Sequence, residues 1–392
     1  MDTAVGTPHL GLTCLFLLAT ACGAGNDKSP RPDAGAAQTA QVANERLLIV
    51  GQDLGAIRGY MHSGCCPQPD GLTAYVEFYD ILKPDDFGGL GIDTSGRDAG
   101  FEFDWGAGPV SAWRTATEFD VDSLAVGLSL TENEHPGKLA RLVAGEFDVE
   151  IHQLAAFAAL MEGTLYLRIG YEFDGAWNAG YETPQLYVAA YQRIVDVLRD
   201  AGARNVEFVW QASASTVDDL IDGSHDDIVQ WYPGDDYVDW LAFSWFMPPG
   251  ETVQVESAYT PPTPLELADE VIALARKKNK PVMIAEAAPQ GVDLLEGFLA
   301  HHHPSWDGPS GQGRVQMTSD EIWDHWYAPL FEVMAANQDV IHALAYINAD
   351  WDSQPMWGPP YKDGFWGDTR LEADEAIARR FSDAIAAWKA AD

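Results

Sequence analysis

From residue 46 onward the chain alternates short apolar runs with longer amphipathic segments. Eight of the runs read as strands: "LLIVGQ" (47–52), "AYVEFY" (74–79), "LAVGLS" (124–129), "LYLRIG" (165–170), "VEFVWQ" (206–211), "VDWLAFSW" (238–245), "PVMIAE" (281–286) and "IHALAYIN" (341–348). They are mostly apolar rather than alternating, as in strands buried on both faces. Helices with clear boundary chemistry lie between several of them. Thr183 can cap a helix that opens at Pro184, and Gly202 follows its end; Thr263 and Pro264 repeat that start for a helix running into "ALARKKNK". The segments "GEFDVEIHQLAAFAALMEG" and "SDEIWDHWYAPLFEVMAAN" carry apolar residues at helical spacing.

Eight such runs separated by helices predict an α/β protein, a single (β/α)8 TIM barrel over residues 45–392. Long aromatic-rich segments follow the first, second, third, seventh and eighth runs, and they should lie over the C-terminal face, where such barrels place their sites. An open doubly wound sheet would carry a glycine-rich phosphate loop after an early strand. The segment "GQDLGAIRG" does not fit G-x-G-x-x-G, so a nucleotide site has no support.

The first 44 residues do not follow this pattern. "LGLTCLFLLATAC" (10–22) is apolar, too short to span a bilayer, and ends in small residues. Residues 1–22 read as an export signal of the lipoprotein type, with Cys22 the lipidated residue; an ordinary secretory peptide is the other reading. Residues 23–44, rich in Ala, Gly, Pro and Asp without periodicity, read as a flexible tether. With Cys22 lipidated, Cys65 and Cys66 stand adjacent in "HSGCCPQP". Neighbouring cysteines cannot join distant segments. They are two thiols or a vicinal disulfide, and an oxidising compartment favours the disulfide, placed in the loop after the first strand and facing the cleft.

Composition narrows the partners. The chain of 392 residues carries a formal charge of -37, which argues against nucleic acid and anionic membrane surfaces, since both demand a basic footprint. The membrane enters only through the N-terminal lipid anchor. "HHH" (301–303) could ligate a metal, but it sits in a Pro/Gly/Ser-rich loop without a paired acidic motif, and a solvated loop is the simpler reading. No cofactor and no metal are implied.

The candidate chemistry lies at two strand ends. Glu172 follows the fourth run and Glu286 closes the seventh. Two carboxylates held across a cleft are what glycosidic cleavage needs: one protonates the leaving oxygen, the other acts at the anomeric carbon. A glutamate at a strand end can equally cap a neighbouring helix. The surroundings favour a sugar. Trp105, Trp177, Trp210, Trp245, Trp351, Trp357 and Trp366 fall in or beside the top-face segments, where indoles can pack on the C–H faces of sugar rings. Asn178, Gln211 and Asn348 offer polar partners for hydroxyls, and Arg168 can orient either carboxylate.

"GTLYLRIGYEFDGAWNAGY", "YVAAYQRIVDVLRDAGARNVEFVWQAS", "WYPGDDYVDWLAFSWF" and "KPVMIAEAAPQG" resemble, in order and in register, the successive blocks of glycoside hydrolase family 26 over roughly residues 145–292. That resemblance implies a retaining (β/α)8 enzyme acting on a β-linked polysaccharide or oligosaccharide of the mannan, β-1,3-xylan or mixed-linkage β-glucan type. It places Glu172 as acid/base and Glu286 as nucleophile, with Arg168 and Trp177 matching the Arg and Trp that flank the acid/base. Tyr171, Trp210, Gln211, Trp245 and Trp351 join Asn178 as expected substrate contacts. Four positions depart from the family pattern: Tyr171 stands where a His is usual, Phe173-Asp174 where Met-Asn is usual, and Phe246 where a Tyr supports the nucleophile. A carbohydrate-binding protein that keeps the fold without turnover is the alternative.

Overall fold

The computed structural model describes residues 45–250, 259–300, 314–358 and 366–391. The chain separates into two units, Met1–Val42 and Ala43–Asp392, and every described residue belongs to the second. Cys22 and the 301–303 histidines therefore lie outside the described residues.

All eight expected strands form, and they close into a parallel barrel. In chain order they are β1 (Leu47–Gly51), β2 (Gly71–Glu77), β3 (Ser123–Ser129), β4 (Thr164–Ile169), β5 (Val206–Ala212), β6 (Trp240–Trp245), β7 (Val282–Ala287) and β8 (Ile341–Ile347). Each pairs with its neighbours in sequence, and β1 closes the ring against β8. The arrangement is the (β/α)8 barrel. β2 starts earlier than its apolar run suggested and stops at Glu77, because Phe78–Asp80 turn into a 3-10 helix.

The helices follow their boundary chemistry. The helix Pro264–Lys278 opens with a full capping box between Thr263 and Glu266, and Asn279 ends it in the left-handed region. Pro184–Asp200 opens after Thr183, whose side chain makes no capping bond, so Pro184 at the first position marks that start. The segment expected as one helix near residues 319–337 forms three stretches: Ser319–Ile322, a π turn over Trp323–Tyr327, and Ala328–Ala336. Pro329 lacks the N–H that a continuous α-helix would need there, and the wider turn accommodates it.

Alternation along the strands sorts side chains into two cores. On β5, Phe208 and Trp210 point outward; Trp210 is fully buried, stacks on Phe173 at 4.5 Å and donates to the Trp231 carbonyl. Gln211 therefore points into the barrel, where Arg168 also lies. Burying a large apolar side chain in this way contributes about 1.5–3 kcal/mol.

Cys65 and Cys66 are two free thiols, so the expected disulfide is absent from the structure. Their expected place at the cleft is also corrected. The helix Leu54–Ser63 follows β1 and carries the chain back toward the start of β2, and neither cysteine lines the cleft.

Candidate active site

A cleft of about 1110 Å³ runs across the C-terminal face of the barrel. Local backbone geometry aims both glutamates into it. After β4 the chain turns at Gly170 (φ +55°), and Glu172 itself adopts φ +52°, a region that non-glycine residues rarely occupy. The turn is held because Asn178 Nδ2 donates to the Glu172 carbonyl at 2.9 Å and the Gly175 amide donates to the same oxygen. Glu286 is aimed differently. The pairing of β6 with β7 steps from Phe243↔Ile284 to Ser244↔Glu286, and this irregularity sets the Glu286 side chain opposite Ser244.

The two carboxyl groups have opposite surroundings. Glu286 is 7% exposed, and its Oε1 accepts from Arg168 Nη1 at 2.6 Å and from Gln211 Nε2 at 3.3 Å. Its Oε2 accepts no hydrogen bond among the described residues. Arg168 is fully buried and also donates to Gln211 Oε1 at 2.9 Å. Such a charge-assisted pair fixes the geometry of the Glu286 carboxyl group. Among the described residues Glu172 is met by neutral donors, Ser244 Oγ at 2.7 Å to Oε1 and Trp177 Nε1 at 3.1 Å to Oε2. Burial, then repulsion from Glu286, pushes its carboxyl up to about 8; the hydrogen bond from Ser244 works the other way. Gln211 Nε2 donates to Ser244 Oγ at 3.0 Å, so three consecutive hydrogen bonds link Glu172 through Ser244 and Gln211 to Glu286.

Chemically this is one acid that keeps its proton at neutral pH beside one carboxylate with a free oxygen. Environments that drive two carboxyl groups apart in this way assign an acid and a nucleophile or base.

Of the residues expected to touch substrate, Tyr171, Trp177 and Asn178 line the cleft half-buried. Arg168 and Gln211 lie beneath it as supports for Glu286. Trp210 is corrected: it faces the helices, because its neighbour Gln211 takes the inward position. Trp245 and Trp351 border the cleft but are only 1% and 3% exposed. Trp245 packs edge-on against Phe243, and Trp351 is stacked on Trp366 at 5.0 Å with its Nε1 on Thr369, so neither offers a free indole face. Trp105, Trp357 and Trp366 also border the cleft. Asn348 is fully buried and clamps the Leu371 amide and Glu372, a structural task.

The pattern reading passed over two residues. Ser244 supplies the hydroxyl bound to Glu172; its signal was a small polar residue in the apolar run "LAFSW", in strand register with Glu286. Glu77, at the end of β2, forms the other end of the cleft. Burial pushes its carboxyl up to about 7, and Ser129 Oγ donates to it at 2.7 Å.

The sequence model of glycosyl hydrolase family 26 matches residues 160–288, the span that carries Arg168, Glu172, Gln211, Ser244 and Glu286. Over this span the chain matches the family. Curated relatives extend the similarity along the chain. A protein named β-1,3-xylanase from Alcaligenes sp. is 30% identical over 346 residues, covering 88% of this chain and 64% of the relative. A β-1,3-xylanase from Vibrio sp. is 30% identical over 340 residues, covering 86% of this chain and 64% of the relative. The chain thus spans less than two thirds of the length of these curated relatives. Among solved structures, a family 26 endo-β-1,4-mannanase catalytic domain from Bacillus sp. JAMB-750 superposes with a TM-score of 0.51 at 16% identity, over 91% of this chain and 92% of that one. A family 26 β-mannanase from Bacteroides ovatus gives 0.52 at 13% identity, over 89% and 92%. These likenesses show the barrel fold alone.

Proposed function

We propose that the chain is a retaining glycoside hydrolase that cleaves a β-linked polysaccharide, with β-1,3-xylan the first substrate to try. The observation that carries the reading is the asymmetry of the two carboxyls: Glu286 is clamped through Oε1 with Oε2 open, while Glu172 is held protonated. In the first step Glu286 Oε2 bonds to the anomeric carbon, the glycosidic C–O bond breaks, and the Glu172 proton passes to the leaving oxygen. In the second, Glu172 as carboxylate takes a proton from water, the water oxygen bonds to the anomeric carbon, and the Glu286 ester breaks with the configuration retained. Retention rests on the family resemblance. The choice of β-1,3-xylan rests on the names of the two relatives that align along most of this chain.

A panel of β-1,3-xylan, β-mannan and mixed-linkage β-glucan tests both points, with product configuration followed by NMR. Release of β-configured xylooligosaccharides supports the reading. Binding without hydrolysis on every glycan would replace it with the non-catalytic carbohydrate-binding alternative. The N-terminal reading, export with Cys22 lipidated, is proposed on residues 10–22 alone. Cys22→Ala should move the protein from the membrane fraction to the soluble one, and a wild type already fully soluble would end that idea.

A further inference from the structure

Three neighbouring strands make an unusual layer beneath the cleft. Tyr75 on β2 is in register with Gly127 on β3, and Gly127 with Arg168 on β4. Gly127 supplies no side chain, and the two flanking side chains meet in the space it leaves. A Cβ at Gly127 would fall 2.7 Å from Tyr75 Cδ1 and 2.8 Å from Arg168 Nη2, closer than real Cβ contacts allow. The Arg168 guanidinium lies 5.0 Å from the centre of the Tyr75 ring and 5.3 Å from that of Tyr171. The two rings meet edge to face at 5.7 Å.

The ring of Tyr75 thus packs on the arginine that holds Glu286, and its phenol oxygen has a separate situation. That oxygen is buried beside the Arg168 guanidinium, which can only donate to it, and its O–H finds no acceptor among the described residues, although Tyr75 lines the cleft beside Glu286. Burial and then the charge of Glu286 raise the phenol above its ordinary value, so it stays an O–H donor at every working pH. A buried donor left without an acceptor is costly, and sites that bind polar ligands are where such donors persist.

We propose that Tyr75 is a substrate-binding residue of the reacting centre: its phenol O–H donates to the 2-hydroxyl of the sugar seated over Glu286, and Gly127 is the position that makes room for it. The proposal rests on the glycosidase reading. The sugar bonded to Glu286 must bring its anomeric carbon to Oε2, and the 2-hydroxyl is attached to the adjacent carbon. Hydrogen bonds to that hydroxyl strengthen as positive charge develops at the anomeric centre, so the contact acts chiefly in the transition state.

Tyr75→Phe isolates the hydroxyl, because it keeps the ring over Arg168. On the glycan that the wild type hydrolyses, kcat/KM should fall about 10- to 100-fold, with most of the loss in kcat. On the matching 2-deoxy substrate the two proteins should differ by less than about threefold, since the acceptor is then missing from both. Gly127→Ala should lower kcat as well, by displacing Tyr75 or Arg168, and far-ultraviolet circular dichroism checks that it remains folded. If Tyr75→Phe stays within twofold of an active wild type, or if its loss is equally large on the 2-deoxy substrate, the proposal is wrong while the glycosidase reading stands. A wild type that hydrolyses no β-glycan overturns both.

Discussion

The ends of β4 and β7 present the same residue type to the same cleft and prepare it for opposite work. At β7, Glu286 sits within a strand, and its position is set by strand register and a full ion pair with Arg168. At β4, Glu172 sits beyond the strand in a left-handed turn, and its carboxyl meets one hydroxyl and one indole N–H. A charged donor stabilises the ionised form of its partner, whereas burial with neutral donors leaves the proton in place. Partner chemistry, not residue type, is what separates the proposed acid from the proposed nucleophile. Three substitutions probe that division.

Removing the clamped carboxylate should have the largest effect. Glu286→Ala deletes the proposed nucleophile and leaves Arg168 buried without its partner. Turnover of every substrate, activated or not, should fall by at least about 10⁴-fold. Measurable hydrolysis of an aryl glycoside at a tenth of the wild-type rate would show that Glu286 is not the nucleophile.

Removing the protonated carboxyl should cost less, and selectively. Glu172→Ala should slow polysaccharide cleavage by about 10²- to 10⁴-fold, the usual contribution of a general acid. An aryl glycoside whose leaving group needs no proton should keep a near-normal first step. Added azide should then capture the glycosyl-enzyme as a β-glycosyl azide. An α-azide, or equal losses on both substrates, would reverse the division drawn between the two strand ends.

The same contrast explains how much the sequence revealed. The eight strands were readable because doubly buried strands demand unbroken apolar runs, and both glutamates interrupt such runs at their ends. The helix starts at Thr263 and Pro184 were readable from local capping chemistry. Trp210 was misread because an aromatic in a strand can face either layer, and the inward demand of Gln211 decided the matter. Ser244 and Gly127 were overlooked for a different reason. Each matters through a side chain on another strand, and cross-barrel register is fixed only when the ring closes. The bulge that sets Glu286 opposite Ser244 likewise has no local signature.

The smallest expected effect tests the Ser244 hydrogen bond, and its sign follows from the ionisation of Glu172. The first step needs Glu172 protonated, so kcat/KM should hold below pH 8 and fall as the pH rises through about 8, where the carboxyl ionises. Ser244 donates to Oε1 and favours the ionised form, which lowers the carboxyl from where burial and Glu286 alone would set it. Ser244→Ala removes that donor and leaves both glutamates in place. The basic limb should therefore move up, by about half a unit to one unit for a hydrogen bond of ordinary strength. The plateau rate should change less than about tenfold, because Gln211 and Arg168 still hold Glu286. A limb that moves down would mean that Ser244 Oγ accepts a hydrogen bond from the protonated Glu172 carboxyl and stabilises the acid form. A limb that stays fixed in Ser244→Ala and survives in Glu172→Ala would belong to another group, and the protonated member of the pair would then have to be sought elsewhere in the cleft.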